Sequence, residues 1–440
     1  MTKKLPVTSQ EAPVGAVGPA DERPLARLGR GEVLVAVAAF AASCVAVLLR
    51  PPQLLEPDDY AYRASIVAFT QGHLLSLTDV QYWELIKQLS SGAGIGIAQW
   101  VHTAAGTWIS EKNPGYPFLA APFQALGILR LAPLFYGALG AVGLFFGGRR
   151  WLGRWGGTWA VVFFCSSGAA LAFAWRPTMP TFTDASLIAA GAGALLWTML
   201  ATERIVRRRV VVGLLGFVAI EAAVLIRYSN VVILAVAVLM VLLVLRRAGL
   251  PLRAAGWWLG SVALMVAGVL AFDQLAYGSA LKTGYSSGEI TFSFASVIPN
   301  LQHMPVRLVA AMPMLVLAVG AVGWMAVRAV RSRRPGVDPD RRVSYRRDVA
   351  VAAALAAGWI GIWGLYTAYD WTARAPFMPG DDIHLIRFYL PALGLISLLA
   401  AWLLAHLPRW LPIAALALVI GLGAWWSGPI LEVQESWAGP

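Results

Sequence analysis

Long apolar runs separated by short polar pieces dominate the chain. A spanning helix needs roughly 20 apolar residues. Eleven runs approach that length: 33–50, 130–148, 157–175, 184–201, 210–226, 229–245, 255–272, 308–328, 349–366, 388–406 and 410–426. The pattern predicts an all-α polytopic membrane protein of about eleven transmembrane helices. Residues 51–129, between the first two runs, follow a different rule. Tyr62, Ile66 and Phe69 recur at helical spacing, as do Tyr82, Leu85, Ile86 and Leu89. Both stretches predict amphipathic helices lying at the membrane interface. Ser-Ser-Gly-Ala-Gly-Ile-Gly at 90–96 reads as a flexible connector. Its glycines neither follow a strand nor open a phosphate-binding helix, so no nucleotide site is expected there. The chain divides into a disordered cytoplasmic tail (1–32), one transmembrane domain (33–426) and an extracytoplasmic tail (427–440). The first tail is too long for the n-region of a signal peptide, so the run after it is expected to stay as an anchor.

Composition agrees with the pattern: 58% of residues are hydrophobic and 13% charged, against about 25% charged in soluble domains. A net charge of +12 would suit nucleic acid, but the distribution of charge gives a different reading. With alternate loops assigned to opposite sides, 24 of the 35 Lys and Arg residues fall on one side, and 14 of the 23 acids on the other. This is the positive-inside pattern of a plasma-membrane protein with a cytoplasmic N-terminus. It places 51–129, 273–307 and 367–387 together outside, opposite the basic 328–348 loop. No nucleic-acid partner is expected. Cys44 and Cys165 both lie in apolar runs and are not expected to pair.

The polar residues that could carry chemistry gather on the external side, most of them in the three large segments. Asp58 and Asp59 follow the first run directly. They are either solvated charges or a base held near the lipid headgroups, where burial and a like charge raise one carboxylate's pKa. Glu111-Lys112-Asn113-Pro114-Gly115-Tyr116 precedes the second run, as a capping turn or as a phosphate-binding lysine beside a metal-holding glutamate. Arg176 to Asp184 joins the third and fourth runs, and Asp184 either caps a helix or points into a shared site. Tyr277 to Tyr285, with Lys282, opens the second external segment, and His303 and Arg307 lie near its end. Asp381, Asp382, His384 and Arg387 lie in or just after the third. Glu221 is the one acid deep inside a run. Such residues are functional or paired, and a partner on a neighbouring helix near Arg227 is weighed against a transport role.

Together these motifs resemble the GT-C glycosyltransferases, in the branch of the protein O-mannosyltransferases and aminoarabinose transferases. The family places an Asp-Glu pair after the first span with a Tyr three residues on; here Asp58-Asp59 and Tyr62 stand there, departing at the second acid. Its Glu-Lys-Pro motif resembles Glu111 to Tyr116, with Asn113 inserted. Its Arg…Thr-Asp turn is similar to Arg176 to Asp184. Its Phe-Gly-Ser-Pro…Thr-Gly-Tyr motif resembles Tyr277 to Tyr285. Its late Arg-Tyr-Leu-Leu-Pro looks like Arg387 to Pro391. The motifs keep family order from about residue 55 to residue 391.

The resemblance implies transfer of a monosaccharide, with inversion, from a polyprenyl-phosphate donor to a glycan, lipid or protein acceptor. By motif position Asp58 would be the base, facing a cavity open to the outside and to lipid. Asp59 would orient the acceptor or cap a helix. Lys112, Arg387 and Lys282 would neutralise the phosphate. Tyr62, Glu111, Arg176, Asp184, Tyr285 and His384 would line the site. Some relatives carry a divalent metal, and Glu111 with His303 are the candidates for it here. The readings kept beside this one are a transporter or flippase of a lipid-linked sugar, which would use polar residues near the bilayer midplane, and a non-catalytic assembly protein.

Overall fold

A computed structural model describes residues 28–52, 57–89, 99–201, 206–245, 247–285, 290–331, 339–374, 385–408 and 410–437. The structure is helical almost throughout. Its main helices are α1 (Arg30–Leu48), α5 (Ala132–Leu152), α6 (Gly156–Ser166), α7 (Gly168–Ala174), α8 (Thr181–Leu200), α9 (Val206–Ile226), α10 (Val231–Val244) and α11 (Leu252–Tyr277). They continue with α12 (Val297–Ala311), α13 (Leu315–Arg331), α14 (Pro339–Thr367), a helix from Leu393 to Ala405 and one from Leu411 to Trp437. Each predicted run falls on helix, but 157–175 and 308–328 are each divided between two helices, and the count of eleven spans is not reached among the described residues. Six described helices are long and apolar enough to cross a membrane, or eight if each of two bent pairs counts as one span. The stretches Tyr228–Val244, Leu390–Ala405 and Leu411–Trp425 are shorter apolar helical segments of 10–17 residues.

Both bends have local causes. The run at 157–175 breaks by 61° between α6 and α7. Ser167 there is extended, and its hydroxyl caps the next helix by accepting from Ala170 N at 3.4 Å. The run at 308–328 begins inside a pair bent by 108°. Met312 leaves helical geometry just before Pro313, as residues preceding proline tend to do. Two predicted boundaries also move. The first helix starts at Arg30 rather than 33, because buried Glu32 pairs with Arg149 and Arg154. The last helix continues past 426 to Trp437.

The centre of the bundle is a close crossing of α5 and α8. Gly140, Gly143 and Gly147 fall on one face of α5 and meet Ser186, Ala190 and Gly193 of α8. A Cβ on Gly143 would lie 2.6 Å from Ala190 Cα, so only glycine lets the backbones approach this far. Small residues at such spacing are how apolar helices associate when lipid offers no hydrophobic drive. At one end of the bundle, arginines satisfy carbonyls at and just beyond helix ends: Arg150 donates to Leu200 O at 3.0 Å, and Arg209 donates to Thr198 O and to Ala248 O in the turn after α10. Cations suit the C-terminal ends of helices.

The opposite end carries the segment after α1. The two expected amphipathic helices are α2 (Pro57–Thr70) and α3 (Asp79–Leu89). Their apolar faces do not stay open for lipid. Ala64, Val67 and Ala68 of α2 pack with Tyr82, Leu85 and Ile86 of α3 and with Trp100 in a small core of their own. A three-stranded antiparallel sheet closes it, with β1 (Leu77–Thr78), β3 (Thr107–Ser110) and β2 (Trp100–His102) in the order β1-β3-β2. Tyr82 stacks on Trp108 of this sheet at 4.0 Å. A further helix, α4 (Gly115–Ala125), leads from the sheet back into the bundle.

Candidate functional site

Asp58 is at the start of α2 and Asp59 follows it. Successive helix residues point about 100° apart, since a turn holds 3.6 residues, and the two acids meet different surroundings. Asp59 is wholly buried: it pairs with buried Arg176 and accepts from Thr178 Oγ1 at 2.9 Å. Asp58 turns toward the other motifs. Its Oδ1 lies 2.9 Å from Lys112 Nζ, and its Oδ2 lies 2.7 Å from Arg387 Nη1. Residues 58, 112 and 387, drawn from three separated motifs, thus meet at one carboxylate. Lys112 also points its ammonium at Tyr285, with Oη at 3.4 Å, and lies over the rings of Tyr62 and Tyr285. Burial alone would lower the Lys112 pKa, but Asp58 and Tyr285 outweigh it and hold the ammonium above the usual lysine range. Burial pushes the Tyr62 phenol well up, and the Tyr285 and Asp58 charges push it the same way. Tyr62 therefore stays neutral and is no proton acceptor near neutral pH.

Four contributors were not legible in the sequence. Gln99 donates to Asp58 Oδ1 at 2.5 Å. It is the one described non-glycine residue with positive φ, at 67°, a strained conformation of the kind that clusters at functional sites. Arg227 donates to the main-chain oxygen of Arg387 at 2.9 Å and has Asp184 Oδ2 at 3.8 Å. Asn230 donates to Asp184 Oδ1 at 2.6 Å, so Asp184 supports the cluster from beneath and does not cap α8, whose N-cap is Pro180 with no side-chain cap hydrogen bond. Trp371 carries the Arg387 guanidinium over its ring at 5.4 Å, and Phe388 does so at 4.8 Å.

Gly284, next to Tyr285, packs tightly on Glu111: a Cβ there would lie 2.6 Å from Glu111 Cα. Lys282 is exposed, its N–H closing a turn on Ser279. His384, with Asp381 and Asp382, lies outside the described residues. His303 shares its Nδ1 with Arg307 at 2.8 Å, and the described residues contain no group of three or more His, Cys, Asp or Glu able to hold a metal. A guanidinium beside the histidine is a poor neighbour for a cation, which weakens His303 as a metal ligand. Glu221 has its partner on a neighbouring helix, but that partner is Ser261 of α11, at 2.8 Å, while Arg227 is taken up by Asp184 and Arg387.

An apolar cavity of about 360 Å³ opens beside Tyr389, two residues from Arg387, among Met304, Leu308, Leu315 and Trp359. A small crevice reaches Lys112 from the turn after α2. Asp58 lines neither of these two cavities, contrary to the open-cavity expectation. Its side chain is 15% exposed, because two cations and an amide occupy its oxygens.

Neither a protein-family model nor a curated protein matches the sequence. The fold, however, is that of the GT-C glycosyltransferases. Two solved structures with this architecture are ArnT from Cupriavidus metallidurans bound to undecaprenyl phosphate and the oligosaccharyltransferase from Archaeoglobus fulgidus. ArnT matches over 88% of this chain with a TM-score of 0.51 and 16% identity. The oligosaccharyltransferase matches over 93% with a TM-score of 0.53 and 12% identity. The chain spans 62% of the first and 56% of the second, less than two-thirds of either. The archaeal enzyme, AglB, is also known in complex with an inhibitory peptide and a dolichol phosphate, at a TM-score of 0.50.

Proposed function

We propose that this chain transfers a monosaccharide from a polyprenyl-phosphate donor to an acceptor hydroxyl at the extracytoplasmic face of the plasma membrane. The observation that carries the reading is Asp58 bound by both Lys112 and Arg387 at the end of a GT-C bundle. In the reaction the acceptor oxygen attacks the anomeric carbon. The bond from that carbon to the phosphate oxygen breaks, and lipid phosphate leaves with the bonding pair. The hydroxyl proton passes to an Asp58 oxygen, and attack opposite the leaving group inverts the anomeric centre. Lys112 and Arg387 carry the charge that grows on the departing phosphate, which lowers the barrier most where water is excluded. Asp59 and Arg176 hold α2 against the bundle, which supports Asp58 in place. Membrane lipids surround the donor's tail, and a glycan, lipid or protein supplies the hydroxyl. The transporter reading rests on Glu221, which faces Ser261 on α11 rather than this cluster.

The test is transfer by the purified full chain with a panel of radiolabelled polyprenyl-phosphate sugars and crude envelope acceptors. Labelled product with release of lipid phosphate is expected. Uptake of a lipid-linked sugar across vesicles without any new glycosidic bond would replace this reading with the transporter.

A further inference from the structure

The carboxylate assigned as the base is also the counter-ion of the two cations assigned to the phosphate. Asp58 receives Lys112 and Gln99 on one oxygen and Arg387 on the other, at 2.9, 2.5 and 2.7 Å. The Lys112 and Arg387 side chains are 5% and 12% exposed, so water does little to satisfy them elsewhere. The other charged groups nearby have partners of their own: Arg176 is on Asp59, and Arg227 is on Asp184 and the Arg387 carbonyl. The phenols of Tyr62 and Tyr285 face Lys112. A carboxylate whose oxygens both meet cations is a weak base, because nearby positive charge favours its ionised form.

Resting on the proposed function, we infer that Asp58 occupies the seat of the donor phosphate in the free protein, and that one lipid-borne phosphate displaces it. Two non-bridging phosphate oxygens present nearly the same bite as the two oxygens of a carboxylate. Lys112 and Arg387 therefore pass from Asp58 to the phosphate with little movement and keep charge-assisted hydrogen bonds throughout. Gln99 stays on Asp58 and orients it. Released from both cations, Asp58 regains its strength as a proton acceptor only when the donor is seated. The donor binds first, and the acceptor hydroxyl meets an active base only afterwards. No bond forms or breaks in this exchange; two ion pairs trade partners.

A residue that merely helped to bind the donor would weaken binding when removed, and Asp58 must do the opposite. If it competes with phosphate, removing its charge tightens phosphate binding while it stops transfer. The experiment measures binding of undecaprenyl phosphate, which carries no sugar and cannot turn over, to the full chain in detergent. Asp58→Asn is expected to bind on the order of tenfold tighter than wild type, the worth of about one charged hydrogen bond. Asp58→Ser, which removes the charge with another shape, must show the same gain and decides the matter if Asp58→Asn does not fold. Adding Lys112→Met or Arg387→Met to either variant must cancel the gain. Undecaprenol, without the phosphate, and inorganic phosphate at the same concentration should bind neither protein measurably; inorganic phosphate binding equally well would show a free-anion site and overturn the lipid donor as occupant. Equal or weaker binding of undecaprenyl phosphate by the charge-removed variants, or a gain that survives Lys112→Met or Arg387→Met, overturns the exchange. If wild type transfers sugar and these variants bind no tighter, the exchange alone fails. If wild type transfers from no lipid-phosphate sugar, the proposed function fails, whatever the binding shows.

Discussion

Asp58 and Asp59 are chemically identical neighbours under opposite constraints. Asp59 is fully buried on Arg176, and breaking a buried pair by removing one partner costs on the order of 3–5 kcal/mol. Asp59→Asn should therefore lower the melting temperature and the yield of folded protein, yet keep most of its transfer rate per folded molecule. Asp58→Asn should do the reverse, with transfer slowed at least about a hundredfold, the lower range for general-base catalysis. Rates and melting curves of both variants, normalised to folded protein, check the pair; a larger rate loss for Asp59→Asn would exchange their roles. Lys112→Ala and Arg387→Ala each remove a charged hydrogen bond worth about 1.5–3 kcal/mol, so kcat/KM for the donor should fall about tenfold or more. Unchanged kinetics in both would remove them from the site. Lys112 also makes stability depend on alkaline pH. Its folded pKa is raised above the ordinary lysine value of 10.5. Its stabilising contribution is complete below that value and is lost as pH rises through the folded pKa. The stability gap between wild type and Lys112→Met should narrow above about pH 10.5, near the free-lysine value, in denaturant melts taken at stepped pH. A gap that widened there would contradict the ion pair.

At the scale of elements, two glycines place the motifs against each other. Gly115, at the start of α4, would put a Cβ 2.3 Å from the main-chain carbon of Leu225, at the end of α9. Gly284 would put one 2.6 Å from Glu111 Cα. Backbone cannot swing aside as a flexible side chain can, so any larger residue must push the segments apart. Gly284→Ala is expected to shift Tyr285 away from Lys112 and lower kcat/KM, with little change in melting temperature, because the 277–285 segment is peripheral. Gly115→Ala sits where α4 meets α9 and should instead lower the melting temperature. Thermal melts and kinetics of the two variants, side by side, test this division. Wild-type kinetics in Gly284→Ala would show that the Thr283-Gly284-Tyr285 turn is not part of the site.

For the whole molecule, the proposed orientation puts the Asp58 end of the bundle outside and the Arg149–Arg209 end inside. In a chain with Cys44 and Cys165 replaced, a cysteine at Ala104, exposed in the β2–β3 turn, should react with a membrane-impermeant maleimide in intact cells. A cysteine at Ser332, in the basic 328–348 stretch of the sequence, should react only after the membrane is opened. The reverse pattern would invert the topology and take the external site with it.

The sequence by itself determined the membrane class, the helical segments and the three motifs that supply Asp58, Lys112 and Arg387. These properties are local: a run of apolar residues must become a hydrogen-bonded helix in lipid, and a motif keeps its spacing wherever the chain carries it. The tertiary structure decided which acid is buried and which meets the cations, because that depends on which side of α2 faces Arg176. It alone brought Gln99, Arg227 and Trp371 to the cluster, residues with no periodicity or motif to mark them. It also turned the two amphipathic helices inward onto a small sheet, since short strands of two to four residues gain their pairing only from segments distant in the chain. Contacts of that kind depend on where remote backbones meet, which neither hydrophobic period nor residue spacing encodes.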